Sequence, residues 1–165
     1  MQQKQKTMRA AVASYFEDPL RRLQVFEAKD DVVVGVSPAR IVVVEAGKAV
    51  LNEPWSRCKA VVWDSETDTL ELSYIEYGRH DSVIKCTNAP SEIFLHTMRE
   101  ALESTHVLHV EHRSESGVMI RMGIIRQSDS SLRYWETIAG TLTRQEAEEV
   151  ERLRQRVKDS VGLDY

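Results

Sequence analysis

The chain has 165 residues, of which 42% are apolar and 29% charged, with 26 acidic against 22 basic side chains and a formal charge of −4. A chain of this size and apolarity can bury a core without metal or disulfide, which excludes a disordered polymer. The acidic balance argues against a general nucleic-acid binder, and there is no run of about 18 apolar residues to span a bilayer.

Residues 1–18 form a polar lead with Lys4, Lys6 and Arg9. Its basic start resembles a transit peptide only in outline, and no apolar secretory segment is present. A floppy basic terminus is the simpler expectation. Met8, Val12, Tyr15 and Phe16 recur at roughly helical spacing, enough for a short helix that Asp18-Pro19 would stop.

Residues 20–86 read as a β meander. Leu23 and Val25 open it, followed by the β-branched runs Val32-Val33-Val34 and Ile41-Val42-Val43-Val44. Val50-Leu51, the stretch 58–63, the alternation Leu70, Leu72, Tyr74, and Val83-Ile84 complete about seven short strands between turns. Without a βαβ alternation, a parallel sheet with a cofactor crevice is not expected.

A helix follows 88–91, with Asn88 as its expected cap and Phe94, Met98, Ala101 and Leu102 as its apolar stripe. Residues 105–110 and 118–125 look extended and predict an extra hairpin, while 128–140 shows no clear pattern. Thr143-Arg144-Gln145-Glu146 is a capping box, and Ala147, Val150, Leu153 and Val157 follow in a narrow stripe. That stripe suits either a partner helix or docking within the chain.

Few residues of the sequence fall in patterns that carry chemistry. His106, His109 and His112 are spaced by three on an expected strand, where neighbours in that spacing point to opposite faces, so no metal site is expected. Cys58 and Cys86 read as small buried hydrophobes, although Arg57-Cys58-Lys59 is a setting that could activate a thiol. The acids Asp30-Asp31 and those within 64–68 fall in turns, where aspartate bonds to its own backbone. No nucleophile or phosphate-loop motif is present, and neither an enzyme nor a cofactor is expected. Arg21, Arg22 and Lys29, read as lying along the first strand and its turn, are the candidate lipid-headgroup residues.

Two short stretches carry a family resemblance. Val34-Gly35-Val36-Ser37-Pro38-Ala39-Arg40-Ile41-Val42-Val43 resembles the "L-G-V-s-p-x-G-I-x-V" run of the C-terminal, pleckstrin-homology-like lobe of FERM domains, with Arg40 where glycine is common. Glu53-Pro54-Trp55-Ser56-Arg57-Cys58 resembles that lobe's "F-P-W-x-x-I" turn into the fifth strand, with Cys58 at the usual isoleucine. The first strand, 23–29, and the helix ending at His106 resemble the same lobe, which is close to phosphotyrosine-binding domains. The resemblance covers about residues 20–113. The residues before Leu20 are too few for the two preceding lobes, so a lone domain or a fragment is expected.

The resemblance implies a mainly β protein with helices (α+β). A seven-stranded antiparallel sandwich or barrel spans 19–113 and is capped by one helix. An extension, 114–165, adds to the hairpin a strand and the tail helix. It also implies a non-catalytic adaptor or scaffold in the cytoplasm, at the cytoskeleton or the membrane periphery, that binds a protein partner's peptide. The expected groove runs along the fifth-strand edge, Lys59, Ala60, Val61, Val62 and Trp63, with Phe94, Leu95, Met98 and Arg99 of the helix as its wall; Trp63 and Met98 are expected mostly in the core. The alternative is a phosphoinositide-binding, membrane-targeting module. The tail helix would then either serve as a second docking surface or fold back over the fifth-strand edge and mask it.

Overall fold

The computed structural model describes residues 2–17 and 20–163. Among them the chain is mixed α+β, with ten strands in three antiparallel sheets and three helices, and the sheets do not close into a barrel. It divides into two compact units, residues 1–103 and 104–165.

In the first unit, β1 (Gln24–Lys29), β2 (Val32–Val36), β3 (Arg40–Glu45) and β4 (Lys48–Pro54) form a meander in that order. After one 3-10 turn, β5 (Cys58–Asp64), β6 (Thr69–Tyr74) and β7 (Ser82–Lys85) form a second. The period-2 alternation of the sequence sets the faces: Leu70, Leu72 and Tyr74 of β6 point inward, as do Val34 and Val36 of β2. These side chains share one core cluster with Phe94, Met98 and Ala101 of the helix α2 (Glu92–Thr105), and Phe26 lies 5.4 Å from Phe94 between ring centres.

The two stretches that carry the resemblance are bonded to each other. Trp55, 1% exposed, donates its indole N–H to the Ser37 carbonyl at 2.7 Å, and its backbone N–H reaches the Ala39 carbonyl at 3.1 Å. Ser37 is itself buried, and its hydroxyl accepts the Ala39 amide at 3.1 Å.

Several local expectations are corrected. In the lead, α1 (Gln2–Ala13) is the short helix that its spacing allowed, with Val12 buried in a cluster that includes Phe16, Leu23, Val42 and Val44. The helix ends at Ala13, and the expected stop at Asp18-Pro19 lies outside the described residues. Arg21 and Arg22 stand in a 3-10 turn before β1 rather than in the strand. Ser91, not Asn88, serves the start of α2, its hydroxyl accepting the Phe94 amide at 3.2 Å. Asn88 instead ties the chain after β7 to β1, through its side-chain amide on the Glu27 carbonyl at 3.3 Å.

The second unit is a three-stranded meander, β8 (His106–Arg113), β9 (Met119–Arg126) and β10 (Leu132–Ala139), with β9 central, and the helix α3 (Arg144–Asp159). Strand 106–113, which the sequence groups with the first body, pairs along its length with β9 and so falls in this unit. β10 occupies the stretch that showed no clear pattern. Ile120, Met122 and Ile124 of β9 meet Val150 and Val157 of α3 in a separate cluster, with Leu153 packed against it. Gly123 takes the opposite face, where a Cβ would collide with the Leu108 carbonyl and the Trp135 indole.

Candidate peptide-docking edge

β5 ends its sheet: it pairs with β6 on one side and, among the described residues, with no strand on the other. The backbone polar groups that face away from β6 along 59–63 are therefore available to an added strand. Lys59 is the extra residue of a bulge, since Cys58 pairs with Tyr74 and Ala60 with Ser73. Past the bulge, Val61 and Trp63 are half-buried against the main core, and Val62 points out. Val62 and Val83 are each 54% exposed and flank Glu71 in one row across the sheet.

On the helix, Phe94 and Met98 are each 2% exposed and belong to the core rather than to a groove wall. Leu95 remains half-buried against the same cluster, and Arg99 is exposed. Trp63 is only partly covered, against the expectation of a core residue, because it lies at the open end of the terminal strand. No ion pair among the described residues engages Lys59 or Arg99.

The entry to β5 is held by a polar cluster that the sequence did not reveal. Glu53, at the end of β4, meets Arg79 in a close ion pair and Arg57 at 3.7 Å. Arg79 also stacks over the Tyr74 ring at 3.6 Å, and the Tyr74 hydroxyl shares a hydrogen bond with Ser82 at 2.6 Å. The Glu53 bond raises the Arg79 pKa further, so the guanidinium is a permanent clamp on the loop between β6 and β7. The separation of 26 positions from Glu53 to Arg79 explains why no short-range pattern showed the pair.

Cys58 lies beneath this cluster, fully buried. Burial, reinforced by the Glu53 charge, pushes its thiol pKa up to about 12, against the opposing pull of Arg79 and Arg57. It is a protonated, packed side chain; the flanking bases do not activate it. Burial raises the Cys86 thiol as well.

The candidate lipid residues are not gathered. Arg21 and Arg22 precede β1 and Lys29 ends it, an extended separation on the order of 20 Å. Lys29 Nζ is 3.8 Å from Glu45. Strand alternation likewise separates His109 from His106 and His112. His109 stacks at 5.5 Å on Trp135, and His112 Nε2 lies 3.6 Å from Glu149 of α3. No helix among the described residues is long and apolar enough to cross a membrane. No known protein-family model matches the chain, and no curated protein matches it significantly.

Proposed function

We propose that the first unit is a pleckstrin-homology-like docking domain, akin to the C-terminal lobe of FERM domains. It would act as a non-catalytic cytoplasmic adaptor that binds an extended peptide of a protein partner. The support is a four-stranded and a three-stranded antiparallel sheet sharing one core with α2, together with the bond between the two family-like stretches through Trp55 and Ser37. The observation that carries the reading is the terminal position of β5. A peptide laid along 59–63 completes the sheet by main-chain bonding, while Val61, Trp63 and Leu95 offer partly open apolar contacts and Lys59 and Arg99 offer charge.

The test is a peptide array followed by amide chemical-shift mapping with the best binder. Shifts confined to 59–63 and α2, with binding at least about tenfold weaker in Val62→Lys, are expected, because a charge on an exposed edge discourages strand addition. Failure of every peptide to bind, or shifts elsewhere, overturns the proposal. Pelleting with phosphoinositide vesicles that is lost in Arg21→Glu/Arg22→Glu would favour a lipid ligand instead.

A further inference from the structure

Among the described residues the three sheets present six terminal strands: β1, β4, β5, β7, β8 and β10. A terminal strand with unpaired backbone groups invites another strand, and proteins blunt such edges with bulges or by keeping them short. Four of the six are interrupted by one extra residue: Ala28 in β1, Val50 in β4, Lys59 in β5 and Val107 in β8. β7 has only four residues. β10 has neither device. Its eight residues, Leu132–Ala139, keep an unbroken register with β9. They include the strong strand formers Tyr134, Trp135, Thr137 and Ile138, with no proline or lysine. Among the described residues, 132–139 make no backbone hydrogen bond outside that ladder, which leaves the groups facing away from β9 for a partner.

We infer that β10 is the seam of a symmetric dimer, in which it pairs antiparallel with β10 of a second copy. A two-fold axis perpendicular to the sheet keeps each side chain on its own face, so the ladder must be centred on a residue. Centred on Trp135, it sets Leu132 against Ile138 of the second copy, Arg133 against Thr137, and Tyr134 against Glu136, with no like charges opposed. Centred on Glu136, it sets carboxylate against carboxylate. Centred on Tyr134 or Thr137, it sets Glu136 against Leu132 or Ile138.

The packing around β10 fits the first of these. The Trp135 indole lies over Gly123, toward the middle of its own sheet, with Nε1 2.9 Å from where a Cβ would stand there, so its bulk is off the axis. Leu132, Tyr134 and Ile138 are half-buried against the cluster beneath α3, and the seam extends that apolar layer from one copy into the next. Assembly closes at two copies, because the outer edges of the joined sheet are then the bulged β8 strands. This seam is separate from the β5 edge and does not rest on the peptide reading.

Sedimentation equilibrium of the full chain is the first test. The mass is expected to rise from 18.9 kDa toward twice that value between roughly 1 and 500 µM, the range of a modest interface. Amides of 132–139 are expected to exchange at least about tenfold more slowly at the high end of that range than at the low end. Thr137→Lys opposes like charges twice across the seam and is expected to weaken the dimer about tenfold, and adding Arg133→Glu is expected to restore it. Arg133 and Thr137 lie roughly 13 Å apart along one strand and meet only across the axis, so the rescue separates a lost seam from a damaged fold. A chain that stays monomeric, whether or not an added peptide protects 132–139, overturns the proposal. So does a dimer indifferent to Thr137→Lys, or one that the double variant fails to restore.

Discussion

α1 and α3 each lie on a face of an antiparallel sheet, yet they are secured differently. α3 begins with a full capping box: the Thr143 hydroxyl accepts the Glu146 amide at 3.3 Å, and the Glu146 carboxylate accepts the Thr143 amide at 2.8 Å. The same carboxylate accepts the Ser116 amide at 2.8 Å, pinning the turn between β8 and β9 to the helix start. Arg154 grips Glu136 of β10 with two bonds, at 2.9 and 2.8 Å, and the Tyr134 hydroxyl donates to Glu136 at 2.6 Å. α3 also ends with Arg156 and Lys158 where the dipole favours bases. α1 packs Val12 in a cluster with Phe16, Leu23, Val42 and Val44, and its Lys4 pairs with Glu27. The contrast separates a helix tied down by a capping box and a two-bond ion pair from one seated mainly by apolar packing on the sheet.

The largest test of that contrast is in the cores. Ile124→Ala, under α3, should cost about 2–5 kcal/mol in urea unfolding because its rigid surroundings leave a cavity. Val12→Ala, which removes two methyl groups from a smaller cluster, should cost only about 1–2 kcal/mol. Equal losses would break the comparison. Next, Arg154→Ala should cost about 2 kcal/mol, because it strips a partly buried carboxylate of two charged bonds. A near-zero change by thermal denaturation would reduce that contact to ordinary surface pairing.

Acid should act mainly on the second unit. Bonds from Ser116 and then Thr143 hold the Glu146 carboxyl well below the usual carboxylate range. Burial alone would raise Glu136, but Arg154 and Tyr134 outweigh it and lower that group too. Both folded values are depressed, so their stabilisation is present above the unfolded value, roughly 4.3, and is lost as pH falls below it. Segment-resolved hydrogen exchange between about pH 5 and pH 2 should show 104–165 losing protection before β2 and β3. The reverse order would contradict the assignment of these bonds. The smallest pair of effects is at the helix starts: Thr143→Ala should cost about 1 kcal/mol, while Lys4→Ala should leave the urea midpoint essentially unchanged.

The seven strands of the first unit were legible because alternation and turn residues agree, as at Leu70, Leu72 and Tyr74 inside and Glu71 outside. The capping box of α3 was legible for the same reason: cap and partner are three residues apart. β10 was not, because Glu136 takes an inward position that only Arg154, 18 residues later, makes acceptable, while buried Trp135 points the other way. Asn88 and Ser91 are both good caps, and the competing bond of Asn88 to Glu27 across 61 residues decides between them. At the candidate site, the strand over 58–63 was readable from its residues, while its role as an edge came only from the family resemblance. The burial of Met98 was expected from its place in the helix stripe, whereas that of Phe94 was not, since a stripe shows which side is apolar and not how deep it lies. The Glu53–Arg79 clamp depends on tertiary proximity alone.

β2 and β3 also set a hazard for the molecule. The runs Val32–Val36 and 41–44 combine high strand propensity with no charge, the composition that favours cross-β self-association when bared. Their outer side chains are shielded by the N-terminal segment, so a change that detaches that segment should shorten solution lifetime well before it lowers the melting temperature. Arg40 and Glu45, one at each end of β3, are then the gatekeepers whose neutralisation would speed fibril formation most.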